Sequence, residues 1–190
     1  MNQTSMSRTA RTAAAFRTNR AQRGFTIVEG LICVTVMLVA VSAALPSFST
    51  AREQRRIEGA AAQLETDLQL TRSLAVAQNR TVRFDIGGSD SGTCYVVHNG
   101  AAGDCTCSPQ GAVCTAGVQA HRHQHYSAGS GVTVQANVAS MVFDPLKGTV
   151  TPTAALRVEG PRYAIRQIIN IMGRIRSCSP DGAVPGYKAC

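Results

Sequence analysis

The sequence predicts an α+β fold: one long N-terminal helix, half membrane-spanning and half amphipathic, packed on an antiparallel β-sheet domain with a disulfide-tied C-terminal tail. Three observations predict it. An apolar run from Phe25 to Leu45 leads into an amphipathic stretch that ends near Gln78. From residue 79 onward, short alternating segments are broken by Gly, Pro, Ser and Asp, the pattern of antiparallel strands. Six of the seven cysteines follow the apolar run, an even set suited to disulfides in an oxidising compartment.

The apolar run comes first. Phe25 to Leu45 is 21 residues with one charge, Glu29. At about 1.5 Å per residue such a helix reaches roughly 32 Å, enough to cross a bilayer core of about 30 Å. Residues 1–24 carry Arg8, Arg11, Arg17, Arg20 and Arg23 and no acid, which the positive-inside rule keeps in the cytoplasm, so the rest of the chain faces outward. An ordinary secretory signal cut near Val41-Ser42-Ala43 fits poorly, because its core would be too long and would carry a glutamate. In lipid that carboxylate costs about 2.5 to 3.5 kcal/mol even on lenient insertion scales. Glu29 therefore needs a partner or a purpose.

The charge balance is partly a property of the leader. The whole chain carries +8, whereas from Phe25 onward there are 14 basic and 11 acidic side chains, a balance of +3. Bulk charge then says little about nucleic acid, and the placement of the remaining cations says more.

Beyond Pro46, a helix-weakening residue at the end of the span, Ile57, Ala61, Leu64, Leu68, Thr71, Ala75 and Gln78 recur at spacings of three and four, with Arg52, Arg55, Arg56, Glu58 and Glu65 on other faces. This second half is expected to pack on the exterior domain. Strands are expected at Thr81–Ile86 and Cys94–His98, forming a hairpin, and at Val118–Tyr126, Val132–Val138, Ser140–Phe143, Gly148–Val150, Ala154–Val158 and Arg162–Met172. Asn99–Gly117 lacks periodicity and reads as a disulfide-stapled loop. Of the six exterior cysteines, Cys178 is expected to pair with Cys190, and Cys94, Cys105, Cys107 and Cys114 among themselves, with Cys105 and Cys107 too close to pair together. The expected organisation is a leader (1–24), a membrane helix (25–45), an amphipathic continuation (46–78) and an exterior β-rich domain (79–190).

No catalytic set is apparent, no cofactor is implied, and the chain does not read as an enzyme. His121, His123 and His125 alternate and would share one strand face, but no fourth ligand with suitable spacing accompanies them, so no metal site is expected. The C-terminal constellation carries more chemistry. Gly173 permits a turn that other residues resist. Arg174 and Arg176, if extended, present guanidinium groups on one face about 6.6 Å apart, a spacing suited to successive phosphates of a nucleic-acid strand. Lys188 adds a third cation and Tyr187 a surface for stacking, while a Cys178–Cys190 bridge holds the tail beside them. The competing explanation is pairing of these arginines with Asp181 or Glu159, or a contact between subunits.

The stretch Arg23-Gly24-Phe25-Thr26-Ile27-Val28-Glu29 resembles the class III leader of type IV pilins and pseudopilins. Gly173-Arg174-Ile175-Arg176 with its cysteine-containing tail is similar to the ending of the GspH/FimT-like minor pilins and pseudopilins. The resemblance implies a pilin-like fold, cleavage between Gly24 and Phe25 by prepilin peptidase, N-methylation of Phe25, and pairing of Glu29 with the N-terminal amine of a neighbouring subunit. It further implies an inner-membrane, single-pass precursor with a periplasmic domain, assembled with other pilins into a fibre at the cell surface. In competence-associated FimT-like minor pilins the Gly-Arg-x-Arg turn is linked to DNA capture. Arg174, Arg176 and Lys188 are accordingly the expected double-stranded DNA contacts in natural transformation. The alternative is a purely structural minor pilin or type II secretion pseudopilin that primes assembly.

Overall fold

A computed structural model describes residues 24–190; all of the expected leader except Gly24 lies outside the described residues. The chain divides into two units, one ending at Ala43 and one comprising Ala44–Cys190. Helix α1 (Ile27–Gln78) belongs to both.

Thr26 starts α1 by accepting the Glu29 N–H on its Oγ1 at 3.3 Å. Thr-x-x-Glu at this point is a capping-box pattern, with the acid in the positive first turn. Helix α1 is long and apolar enough to cross a membrane. The hydroxyls of Thr35 and Ser42 turn back onto the Ile32 and Val39 carbonyls, so both are satisfied inside the helix, as lipid requires.

In the second unit α1 buries Ile57, Ala61, Leu64, Leu68, Thr71 and Ala75, together with Ala60. Gln78, expected on the same stripe, is exposed, because the helix stops there. Asn79 adopts the left-handed conformation at φ 50° and Arg80 N–H returns to the Ala75 carbonyl, a C-terminal cap. All buried core residues described lie at or beyond Ile57, so Ala44–Cys190 holds its own core.

That core lies between α1 and two antiparallel sheets. The five-stranded sheet, in the order β5-β2-β1-β7-β8, comprises β1 (Val82–Ser89), β2 (Gly92–His98), β5 (Ala120–Ser127), β7 (Ser140–Phe143) and β8 (Val150–Thr151). The four-stranded sheet, in the order β11-β10-β9-β6, comprises β6 (Thr133–Ala136), β9 (Ala154–Glu159), β10 (Ala164–Ile169) and β11 (Ile175–Cys178). Phe84, Tyr95, Met141, Phe143, Leu156 and Ile165 supply much of the buried volume.

Three sequence expectations are corrected. Residues 99–117 contain a hairpin, β3 (Cys105–Ser108) and β4 (Gly111–Cys114). Its strands are built from Cys, Thr, Gly and Ala, and its largest apolar residue, Val113, points to solvent, so it shows no apolar alternation. Disulfides Cys94–Cys107 and Cys105–Cys114 fasten it to β2 and close it. The strand expected at Gly148–Val150 begins only at Val150, because Gly148, at φ 60°, belongs to the preceding turn. The segment Arg162–Met172 is a strand only over Ala164–Ile169, and Asn170 to Gly173 make the turn into β11.

One polar network is buried inside the apolar interior. Asp67 on α1 is 2% exposed. It accepts the Tyr95 hydroxyl at 2.7 Å, Arg122 Nε at 3.1 Å and Gln63 Nε2 at 3.0 Å. Burial, reinforced by this bond to Asp67, pushes the Tyr95 hydroxyl far above the ordinary tyrosine range.

Candidate nucleic-acid interface

The turn joining β10 to β11 is held by its own backbone and one side chain. Gly173 N–H donates to the Asn170 carbonyl at 2.9 Å, Arg174 N–H donates to Asn170 Oδ1 at 2.9 Å, and Asn170 N–H returns to the Arg174 carbonyl at 3.1 Å. Gly173 sits at φ 71°, and a Cβ there would lie 3.0 Å from the Gly148 carbonyl oxygen and 3.2 Å from Arg72 Cδ. Conformation and space therefore both demand glycine. Arg72 Nε in turn donates to the Gly148 carbonyl at 3.0 Å, so α1, the 144–148 loop and the arginine turn are fastened together. Gly173→Ala is expected to destabilise the domain by more than about 1 kcal/mol, visible as a lower urea midpoint; an unchanged midpoint would show that the turn relaxes freely.

Arg174 lies just before β11 and Arg176 within it, opposite Ile168. Both are exposed. Neighbouring Ser177 points inward and donates to Glu65 Oε2 at 3.1 Å, so by strand alternation Arg174 and Arg176 share the outward face. Neither guanidinium has an ion pair or side-chain hydrogen bond among the described residues. The acids proposed as competing partners are elsewhere: Glu159 is engaged by Arg157 Nε at 2.6 Å and by Gln135, and Asp181 lies exposed in the tail.

The tail folds back against the end of β11. A disulfide joins Cys178 to Cys190, Ser179 N–H donates to the Lys188 carbonyl at 2.8 Å, and Cys190 N–H donates to the Ser179 carbonyl at 3.1 Å. Val184 is buried in the core and anchors the loop. Lys188 is thereby held, exposed, next to the strand that carries Arg176. Tyr187, expected as a stacking surface, is only partly exposed. It packs against the core, where burial, with Glu58 and Glu65 nearby, raises its hydroxyl pKa.

Three contributors, Arg72, Lys147 and Arg166, were missed at the sequence level. Arg72, Lys147, Leu146 and Arg174 line an open groove of about 750 Å³ beside the turn, and no carboxylate lines it. Arg166, on β10, stands opposite Cys178 and Arg157. A basic residue on a strand announces no role until the strand pairing is known.

The rest of the molecule offers other chemistry. Asp85 accepts the Ser140 hydroxyl and lies 3.0 Å from His98 Nε2, while His98 Nδ1 receives the Gly100 N–H. The carboxylate stands between serine and histidine, so the imidazole reaches no nucleophile, unlike a catalytic triad. Among the described residues no three His, Cys, Asp or Glu side chains converge as metal ligands. The Nε2 atoms of His121, His123 and His125 are buried on β5 without hydrogen-bond partners.

At the other end, Gly24, Phe25 and Glu29 are all exposed. A model of the prokaryotic N-terminal methylation motif matches residues 19–45, the stretch that contains them.

One solved structure shares the fold, and a second is similar at a lower score. The type IV minor pilin FimU of Pseudomonas aeruginosa PAO1 superposes with a TM-score of 0.51 at 20% identity, covering 71% of this chain and 96% of FimU. The minor pseudopilin EpsH of the Vibrio cholerae type 2 secretion system gives 0.44 at 13% identity, covering 65% of this chain and 96% of EpsH. No curated protein sequence matches the chain. The family model described as type II transport protein GspH matches residues 60–173, from the buried half of α1 to the glycine of the arginine turn. As that match takes in more than half of the sequence, the chain belongs to the GspH family of minor pilins and pseudopilins.

Proposed function

We propose that the chain is a minor type IV pilin that binds double-stranded DNA through its backbone, using Arg174 and Arg176 with Lys188 as a third cation, and so contributes to DNA uptake in natural transformation. In this reading prepilin peptidase cuts after Gly24, Phe25 is N-methylated, and residues 25–45 hold the subunit in the inner membrane until it joins other pilins. The exterior domain stands in the periplasm and then on the fibre. The observation that carries the DNA reading is the pair of exposed arginines on one strand face, fixed by a glycine turn and a disulfide-tied tail, with no acid engaging either among the described residues. The GspH match ends at Gly173, so the arginines and the tail argue for DNA on their own chemistry.

Two or three phosphate contacts produce weak, salt-sensitive binding, at or below the roughly 10⁻⁴ to 10⁻⁶ M range of nonspecific complexes. The test is fluorescence anisotropy of a labelled duplex with Ala51–Cys190, disulfides formed, at low and moderate salt. Arg174→Gln/Arg176→Gln is expected to weaken binding at least tenfold at low salt. Equal binding by the variant would sink the assignment. A second reading, a structural minor pilin or pseudopilin that only primes assembly, is favoured by exposed Leu146, Ile171 and Met172 near the same turn, which suit burial against a neighbouring subunit.

A further inference from the structure

We infer that the DNA footprint extends beyond the arginine turn as a band of four cations on three separate segments, Arg166 on β10, Arg176 and Arg174 at β11, and Lys147 on the 144–148 loop. The inference rests on the DNA reading above and specifies how the duplex lies on the domain.

The strand register brings the band together. Ile165, Gln167 and Ile169 of β10 are buried against the core, so Arg166 and Ile168 point to the outward face. Arg176 is opposite Ile168 and Cys178 is opposite Arg166, which puts Arg166 diagonal to Arg176, about 7 Å away across the strands. Arg174 precedes Arg176 by two residues along the chain, about 6.6 Å away. With Lys147 it also lines the groove beside the turn. The band thus crosses from the sheet face, round the turn, to the end of the groove.

Two of the nearby acids are engaged. Glu159, on the outward face two strands from β11, is held by Arg157 and Gln135. Asp144 accepts the N–H groups of Leu146 and Lys147 at 3.0 and 2.8 Å. That bond shapes the loop and leaves the Lys147 ammonium without a described partner. Arg166 likewise has no ion pair or side-chain hydrogen bond among the described residues. Arg72 acts as a positioning residue: its bond to the Gly148 carbonyl fixes the loop that presents Lys147. The spacings of about 6.6 Å from Arg174 to Arg176 and about 7 Å from Arg176 to Arg166 each equal about two phosphate steps of 3.4 Å along the axis of one DNA strand, an extended repeat that a small anion does not offer.

The salt dependence counts the contacts. Each phosphate neutralised on B-DNA adds about −0.9 to the slope of log K against log salt, so Arg174, Arg176 and Lys188 together give about −2.7, and Arg166 and Lys147 bring the total to about −4.5. The experiment titrates a labelled duplex with the full chain in neutral detergent over a range of salt, beside Arg166→Gln and Lys147→Gln, with thermal melts to verify folding. Each folded variant is expected to lose about 0.9 of slope and to bind several-fold more weakly at low salt. Wild-type slopes retained by both variants, with binding still lost in Arg174→Gln/Arg176→Gln, would overturn the extended band and leave the two-arginine reading intact. An absence of wild-type binding would overturn both readings.

Discussion

Asp67→Ala is expected to destabilise the exterior domain by about 3 to 5 kcal/mol, the cost of breaking a buried charge pair from one side. Total stability for a domain is only about 5–15 kcal/mol, so this single change removes a large share of it. The reason lies in what is left behind. The Tyr95 hydroxyl is in the fully buried interior and has Asp67 as its hydrogen-bond partner at 2.7 Å, and removal of the carboxylate strands it without an acceptor. Arg122 loses the same partner, but its side chain is 41% exposed and rehydrates, so the effect belongs toward the lower end. Urea unfolding with disulfides intact reads the change directly, and a loss below about 1 kcal/mol would show that the network reorganises around the gap. Tyr95→Phe separates the contributions, since it removes the stranded donor while leaving Asp67 paired with Arg122 and Gln63.

Glu29→Ala is expected to leave leader cleavage intact and to abolish incorporation into fibres. Glu29 is exposed in the first turn of α1, where its own helix N-terminus stabilises it only modestly. An unpaired carboxylate in the apolar interior of a fibre costs several kcal/mol, and in the assembly we propose that cost is offset by pairing with the N-terminal amine of a neighbouring subunit's Phe25. The alanine variant loses the pair and leaves the neighbour's amine uncompensated. Immunoblots of sheared fibres beside whole cells read both halves of the expectation. Normal amounts of the variant in the fibre fraction would remove the assembly role from Glu29.

The helix was legible in the sequence because its signal is local. Ile57, Ala61, Leu64, Leu68, Thr71 and Ala75 recur at the helical period and are the residues that α1 buries. The first hairpin was legible for the same reason, with Phe84 and Tyr95 stacked at 4.9 Å across the core. Asp67 was not legible. A polar residue on an amphipathic helix reads as solvated, and its partners Tyr95 and Arg122 are 28 and 55 residues away. The β3–β4 hairpin escaped because disulfides and backbone pairing hold it instead of an apolar stripe. Arg174 and Arg176 stood out because a glycine and a tail flank them in sequence. Arg166 and Lys147 join them only through strand register and loop packing, which no local pattern encodes.

Strand β11 is the outermost strand of its sheet. The returning tail pairs alongside Ser179, beyond the end of the strand, and leaves the outer edge of Ile175–Cys178, the side away from β10, without a strand neighbour among the described residues. An open strand edge is a template on which another chain can add itself, and charged side chains are a common natural guard against that. The two arginines are therefore also gatekeepers of solubility: an apolar replacement at either position would invite edge-to-edge self-association, whose precipitation or light scattering could masquerade as altered ligand capture. Glutamine removes the charge while keeping the edge polar.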